Sequence, residues 1–227
     1  ETKSVLFAGD VIQRVNGSGD VFDPSPVVKL QDNGLTDQDD ADAAVPGGAY
    51  TTITLLDLDP ADGGGFYHLS GPYVRAVDIE NPVIAPPAEL APNFTYTRQS
   101  DDFEWVMAYY HLDGVERFIQ GLGFANINNR TIDVDAHGDD GEDNSHYSPD
   151  GSGTGYMSLG DGGVDDAEDA EVIVHEFGHS AQDNQCVNCF FGPEAGAMGE
   201  GFGDFLAASY FLNVSAGYQN ECLFDWD

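Results

Sequence analysis

Two histidines and a glutamate in the stretch VIVHEFGHS could bind a metal ion and use it. His175 and His179 are four positions apart, a spacing that places both side chains on one face of an α-helix. Imidazole nitrogens bind zinc at about 2.0 to 2.1 Å. Glu176 lies about 100° round the helix from His175, so it can reach a water on the metal without being a ligand. This H-E-x-x-H pattern predicts a zinc site with a general base beside it.

A catalytic zinc site needs a third protein ligand, and the chain after the motif offers two carboxylates. Glu200 and Asp204 are also four positions apart, so they share a face of a predicted helix. Asp204, one turn further on, is well placed to accept the outer N–H of a ligating imidazole. The longer zinc pattern that ends in a third histidine is excluded, because positions 182 and 185 are Gln182 and Gln185.

The charge balance limits the partners of this chain of 227 residues. It has 41 Asp plus Glu against seven Lys plus Arg, for a formal charge of -34. Nucleic acid and anionic membrane surfaces would be repelled, and no stretch approaches the roughly 18 apolar residues of a membrane span. We therefore expect neither as a partner. Adaptation to high salt and calcium binding by clustered carboxylates both remain compatible with this charge.

Two acidic loops are the first candidates for calcium. Neither matches the full EF-hand pattern, so a solvated, salt-adapted surface is the favoured interpretation and a structural Ca²⁺ ion the alternative. The aspartates of these loops are Asp32, Asp37, Asp39, Asp40 and Asp42, and then Asp57, Asp59 and Asp62.

The cysteines and the N-terminal stretch bear on location. Cys186 and Cys189 form one CxxC, and only Cys222 remains, so a zinc ribbon is not favoured. A short loop disulfide in a secreted, extracellular protein is the preferred prediction. The first 20 residues lack the layout of a signal peptide, and we expect a processed form.

The chain changes character at the proline-rich segment NPVIAPPAELAPN. Residues 1–96 carry short apolar runs between polar turns, SVLFAG, TTITLLDL and YVRAVDI among them, which predicts a β-rich lobe. Residues 97–227 begin with a long amphipathic helix, N-capped by Ser100. Strand candidates follow in TIDVDAHG, DNSHYS and GYMSLGDGG. The acidic run DDAEDAE is then predicted to open the histidine-bearing helix and to complement its dipole. The fold class is α+β.

HEFGH followed by GAMGEGFGDFLA resembles the gluzincin metallopeptidases, and among them the fungalysin group; thermolysin is more distantly similar. The similarity extends upstream through DNSHYSP and DDFEWVMAYYHLDGVERFIQGLGF. It implies a thermolysin-like catalytic lobe in which His175, His179 and Glu200 bind one Zn²⁺ and Glu176 is the general base. It further implies that Asp204 orients His175. Asn144 and the backbone of Ser145 are implied to hold the main chain of a polypeptide substrate.

The activity implied is that of a secreted zinc endopeptidase, and one part of the family pattern is missing. Related enzymes place a histidine, and often a tyrosine, against the developing oxyanion from a C-terminal helical lobe. The histidines outside the motif, namely His68, His111, His137 and His146, all precede the zinc helix. We therefore expect that the stretch is truncated and that a C-terminal lobe or fragment completes the site. The alternatives are a zinc-binding but inactive or weakly active fragment that binds peptides, and an acidic, calcium-dependent surface module.

Overall fold

Residues 12–190, 192–214 and 216–227, which a computed structural model describes, contain nine β-strands and four α-helices. The strands are β1 (Val15–Val21), β2 (Thr51–Leu58), β3 (Tyr67–His68), β4 (Val74–Ala76), β5 (Ala88–Glu89), β6 (Asn93–Phe94), β7 (Ile132–Asp135), β8 (His146–Ser148) and β9 (Tyr156–Ser158). The helices are α1 (Pro26–Leu30), α2 (Asp102–Gly121), α3 (Ala170–Gln185) and α4 (Pro193–Phe211). This is the predicted α+β class. The run SVLFAG lies outside the described residues.

The first part of the chain builds a three-stranded sheet of order β2-β1-β6. β1 runs antiparallel to β2 and parallel to β6. Helix α2 crosses this sheet closely, because a Cβ atom at Gly19 would lie only 2.7 Å from Cγ1 of Val106. Leu55 and Leu58 of β2 are buried on the sheet face that α2 covers.

The second sheet, of order β4-β7-β9-β8, supports the candidate site. β7, β8 and β9 lie where the sequence predicts strands. β8 pairs antiparallel with β9 at one edge, so its outer side has no strand neighbour within the described residues. β4 comes from the first 96 residues and pairs parallel with β7, and buried side chains from both parts form one core. The boundary between residues 96 and 97 stays a prediction.

Helix α2 is buried on most of its surface. The helix begins at Asp102, after Asp101, which makes no side-chain capping bond. The predicted N-cap, Ser100, lies one residue earlier, and its Oγ accepts a hydrogen bond from the backbone N of Asp102 at 3.4 Å. Acidic side chains are buried along it, Glu104 and Glu116 among them. None of the described helices is long and apolar enough to cross a membrane.

The acidic run before the histidine helix opens it only with its last three residues, so that prediction is right for residues 169–171 and wrong for residues 165–168. Asp166–Glu168 form a separate 3-10 turn, and α3 begins only at Ala170. Asp169 caps the helix by accepting a hydrogen bond from the backbone N of Glu171 at 2.8 Å. Glu168 instead bonds the buried guanidinium of Arg98. The run is used mainly for tertiary contacts, and only its end serves the helix dipole.

Candidate metal centre

Helices α3 and α4 approach closely because glycines face each other where they meet. A Cβ atom at Gly178 would lie 2.9 Å from Cα of Gly203, and a Cβ atom at Gly203 would lie 2.7 Å from Nδ1 of His175. Without a Cβ on either helix, the backbones come into contact. Side chains of α4 are thereby brought against the imidazoles of α3.

The three predicted ligands converge on one point. Oε2 of Glu200 lies 3.2 Å from Nε2 of His175 and 3.5 Å from Nε2 of His179. Two ligands at about 2.0 to 2.1 Å from a tetrahedral zinc ion lie about 3.3 Å apart, so these separations match the edges of a zinc tetrahedron. Two nitrogens and one carboxylate oxygen are a donor set of the kind found in catalytic zinc sites.

Asp204 fixes which nitrogen of His175 faces the ligands. Nδ1 of His175 lies 2.9 Å from Oδ1 of Asp204, and a carboxylate only accepts, so Nδ1 donates. In the neutral ring, Nε2 then presents a lone pair to Glu200, which also only accepts. Two acceptors 3.2 Å apart repel unless a proton or a cation lies between them. The residues present therefore fit a zinc ion by geometry and by charge.

Glu176 is buried beside these ligands with an unsatisfied oxygen. Its residue is 6% exposed, and Oε2 makes no hydrogen bond within the described chain. Its Oε1 lies 4.0 Å from Nε2 of His175. The pKa of Glu176 is raised above its ordinary value, chiefly because the carboxyl group is buried. The imidazoles of His179 and His175 oppose this shift, and the carboxylate of Glu200 adds to it. A buried carboxylate with a free acceptor next to a metal site can take a proton from water.

An open cleft of about 610 Å³ contains the three ligands and Glu176. The chain leading into β8 lines it, so the structure brings Asn144 and Ser145 to the site. Nδ2 of Asn144 donates to Asp139 at 3.0 Å, and Oγ of Ser145 donates to Asp166. Their binding of substrate stays a prediction.

The remaining histidines separate into one in the cleft and three elsewhere. His146 lines the cleft, 3.3 Å from carboxylate oxygens of both Glu80 and Asp139. His111 and His137 are buried in the core. His68 is paired with a nearby aspartate at the surface.

Sequence reasoning missed the contribution of the last residues to the cleft. Phe224 and Asp227 both line it, and the ring centroid of Phe224 lies 5.7 Å from that of His175. The backbone N of Phe224 donates to Oε2 of Glu171 at 2.8 Å, which ties this segment to α3. The stretch NECLFDWD has no periodicity that predicts such a contact.

The acidic loops have cationic partners from the protein itself. Asp37 and Asp40 contact the guanidinium of Arg98. The prediction of a merely solvated surface is therefore wrong for these two residues. Asp57 bonds Arg117 at 3.0 Å and Asp59 bonds Arg14 at 3.2 Å.

Beyond the predicted zinc ligands, the described residues contain three further groups that could hold a cation. These are Glu80 with Asp139 and His146, Asp37 with Asp40 and Glu168, and Asp143 with Asp166 and Asp227. Calcium stays a prediction.

The outer face of α4 is apolar and exposed. Met198 and Phe205 are 69% and 66% exposed, and Phe202 and Leu212 continue the stripe along the helix. The side chain of Glu200 on the same helix is 65% exposed. One wall of the candidate site is therefore open to solvent in this chain. A surface of this kind commonly marks a contact with further protein.

Comparison with known proteins adds no relative. No family model matches the chain, and a search of curated proteins gives no match. The resemblance to zinc peptidases thus depends on the motif residues alone.

Proposed function

We propose that this chain is the catalytic part of a secreted, zinc-dependent endopeptidase with a thermolysin-like arrangement. One observation supports it above the others: acceptor atoms of His175, His179 and Glu200 converge at zinc-like separations, with the unsatisfied carboxylate of Glu176 beside them. Any divalent ion would relieve the repulsion between these acceptors. The combination of two imidazoles, one carboxylate and an adjacent free base favours catalytic zinc.

Each residue has a separate role in the proposed reaction. His175, His179 and Glu200 would hold the metal, and Asp204 keeps the His175 ring in the tautomer that can bind it. Zinc bound there supplies a lowered pKa for water and a positive charge for the developing oxyanion. Glu176 takes the proton of the attacking water and then delivers it to the leaving amine.

The edge of the second sheet offers a place for the polypeptide. Among the described residues β8 has no strand neighbour on its outer side, and it leads out of the segment that lines the cleft. An extended peptide can add to such an edge as a further strand, held by main-chain hydrogen bonds. Asn144 and Ser145 precede β8 directly, which is where contacts to a substrate main chain are expected. Endopeptidase action, on internal bonds, fits a cleft that is open.

Secretion is supported by the disulfide between Cys186 and Cys189, which was predicted from the CxxC spacing. Such bonds persist in oxidising compartments and are rare in the cytosol. Cys222 is free and exposed.

Metal removal and a single isosteric substitution test the proposal. We expect the purified chain to bind about one zinc and to digest casein. A chelator should stop digestion, and zinc should restore it. Glu176→Gln should keep the zinc and lose the digestion, because the amide cannot accept the proton. An unchanged rate of digestion in Glu176→Gln would refute the mechanism.

A zinc-binding but inactive or weakly active peptide-binding fragment is the second candidate. The exposed stripe on α4 and the exposure of Glu200 favour it, because a further lobe or fragment would cover this wall and could supply the missing oxyanion donor. Losing one such donor costs about 10² to 10³ in rate. Zinc bound without measurable digestion by the parent chain would select this candidate.

A further inference from the structure

A second cluster of carboxylates lies in the same cleft as the zinc ligands. Asp143, Asp166 and Asp227 each offer an oxygen, and these oxygens lie within 4.8 Å of one another. All three residues line the cleft. They come from three separate places in the chain, so their convergence is a product of the fold.

Asp166 is the buried member of this cluster, and one of its oxygens is unsatisfied. The residue is 2% exposed. Ser145 donates its Oγ–H to Oδ2, whereas Oδ1 has no N–H or O–H donor among the described residues, and the carboxylate of Asp227 lies within hydrogen-bonding distance of Asp166. An unsatisfied buried carboxylate oxygen is costly unless a ligand supplies the missing donor.

The cluster also lacks a cation of its own. No Lys, Arg or His of the described chain lies within ion-pair distance of Asp143, Asp166 or Asp227, whereas the aspartates of the N-terminal loops do have such partners. Burial, together with the neighbouring carboxylates of Asp227 and Asp143, raises the pKa of Asp166. A positively charged group entering the cleft would relieve this repulsion.

The cluster is close enough to the metal ligands to contact a substrate residue near the bond to be cut. The ring of Phe224 lies 5.7 Å from the ring of His175. Asp227 follows three residues later, and three residues span at most about 11 Å. The cluster and the metal ligands line the same cleft, so an extended substrate bound at the metal can also reach the cluster with one of its side chains.

We propose that Asp143, Asp166 and Asp227 form an acidic subsite that binds the side chain of an arginine or lysine of the polypeptide substrate near the cleaved bond. This inference rests on the proposed peptidase function. A guanidinium offers five N–H donors in a planar fork, which suits several carboxylates facing one cleft. Asp143 and Asp227 are exposed, so a side chain can enter from the cleft. Calcium is the competing occupant.

Binding of isomeric peptides to the zinc-loaded Glu176→Gln protein tests the subsite without requiring turnover. The peptides share one neutral sequence, and a single arginine is moved through its positions, so net charge is constant. General attraction to a chain of charge -34 is then equal for all isomers. We expect one position to bind at least about tenfold more tightly than the others, in the range of a charge-assisted hydrogen bond. Equal affinities for all isomers would overturn the subsite.

Two substitutions, with a matched control, assign the preference to the cluster. Asp166→Asn and Asp143→Asn should each remove most of the positional preference for arginine. Because Asp143 is exposed, Asp143→Asn still tests the subsite if the buried Asp166→Asn variant does not fold. Asp32→Asn makes the same charge change on the surface outside the cleft and should keep the preference. A preference that survives both cluster variants would overturn the assignment.

Two further measurements separate the competing explanations. Calcium titrated into the peptide-free protein should bind equally to the parent and to Asp166→Asn; calcium bound by the parent alone, with loss of the arginine preference, would make the cluster a calcium site. Cleavage of the same isomers by the parent enzyme should occur at a fixed number of residues from the arginine. Cleavage without preference would overturn the subsite and leave the peptidase proposal intact. Preferential binding without any cleavage would overturn the peptidase proposal and leave the subsite intact.

Discussion

Gly203 lies directly against the imidazole of His175, so closely that a Cβ atom there would be 2.7 Å from Nδ1 of the ring. The ring cannot move aside without leaving Asp204. Gly203→Ala should therefore push α4 away and carry Glu200 from its position between the two imidazoles. We expect at least about tenfold weaker zinc binding, measured by competition with a chromophoric chelator.

Gly201 provides a matched control for that substitution. It lies on the same helix with nothing within 4 Å of a Cβ atom. Gly201→Ala should leave zinc affinity unchanged and raise stability by about 0.5 to 1 kcal/mol, because alanine favours the helix. Equal loss of zinc affinity in both variants would show that the contact with His175 is not the cause.

Asp204 is the next point at which zinc affinity can be tested. Asp204→Asn keeps an oxygen that can accept from Nδ1 of His175 but removes the negative charge that makes the ring a better ligand. We expect a loss of about 10- to 100-fold in zinc affinity with little change in the fold. Glu194→Gln removes one negative charge in the first turn of the same helix, at a distance from the His175 ring. It should have almost no effect on zinc affinity.

The local features of the site could be predicted from the sequence because they depend on helical spacing. The four-residue separations of His175 from His179 and of Glu200 from Asp204 fix which side chains share a helix face. The structure brings these four residues together, as expected. The contact between the glycines of α3 and α4 was not predicted, because spacing does not show which side of a helix faces a partner.

Features that depend on contacts between distant parts of the chain were missed. β4 pairs with β7 across 58 residues between Val74 and Ile132, and nothing local to either strand indicates this pairing. The acidic run before α3 was predicted to serve the helix dipole, which is the local use of such charge. One of its buried residues, Glu168, instead contacts Arg98, 70 residues earlier. Tertiary contacts of this kind override local preference.

Asp165 should make the chain less stable as the pH rises. Burial raises the pKa of Asp165 to about 8, with Asp40, Asp161 and Glu168 adding to the effect, against about 3.9 in an unfolded chain. Between about pH 4 and pH 8 the folded state binds more protons, so the free energy of unfolding falls as pH rises through this window. Asp165→Asn should raise the melting temperature at pH 8.5 and leave it nearly unchanged at pH 4.

The control for the pH effect must separate burial from net charge. Asp32→Asn also removes one negative charge from the chain but at an exposed position. Its melting temperature should follow that of the parent at both pH values, to within a small effect of reduced repulsion. A similar gain at pH 8.5 in both variants would mean that overall charge, and not the burial of Asp165, governs the pH dependence.

Arg98 should be the most costly basic residue to replace. Its side chain is 0% exposed, and it bonds Glu168 at 2.7 Å and contacts Asp37. Its guanidinium also lies 5.3 Å from the ring centroid of Trp226, so it links the acidic loop, the turn before α3 and the last described segment. Arg98→Met would leave the buried carboxylate of Glu168 without its cation, and we expect a loss of about 3 to 5 kcal/mol in urea unfolding.

An exposed arginine gives the comparison that decides this prediction. Arg75 bonds Asp133 at 2.7 Å, but its side chain is 56% exposed. Arg75→Met should cost at most about 1 kcal/mol, because water screens the pair and can solvate the remaining carboxylate. The cost at Arg98 should also fall when Glu168→Gln is combined with Arg98→Met, since the buried negative charge is then gone. A cost at Arg98 no larger than that at Arg75 would contradict the role of the buried pair.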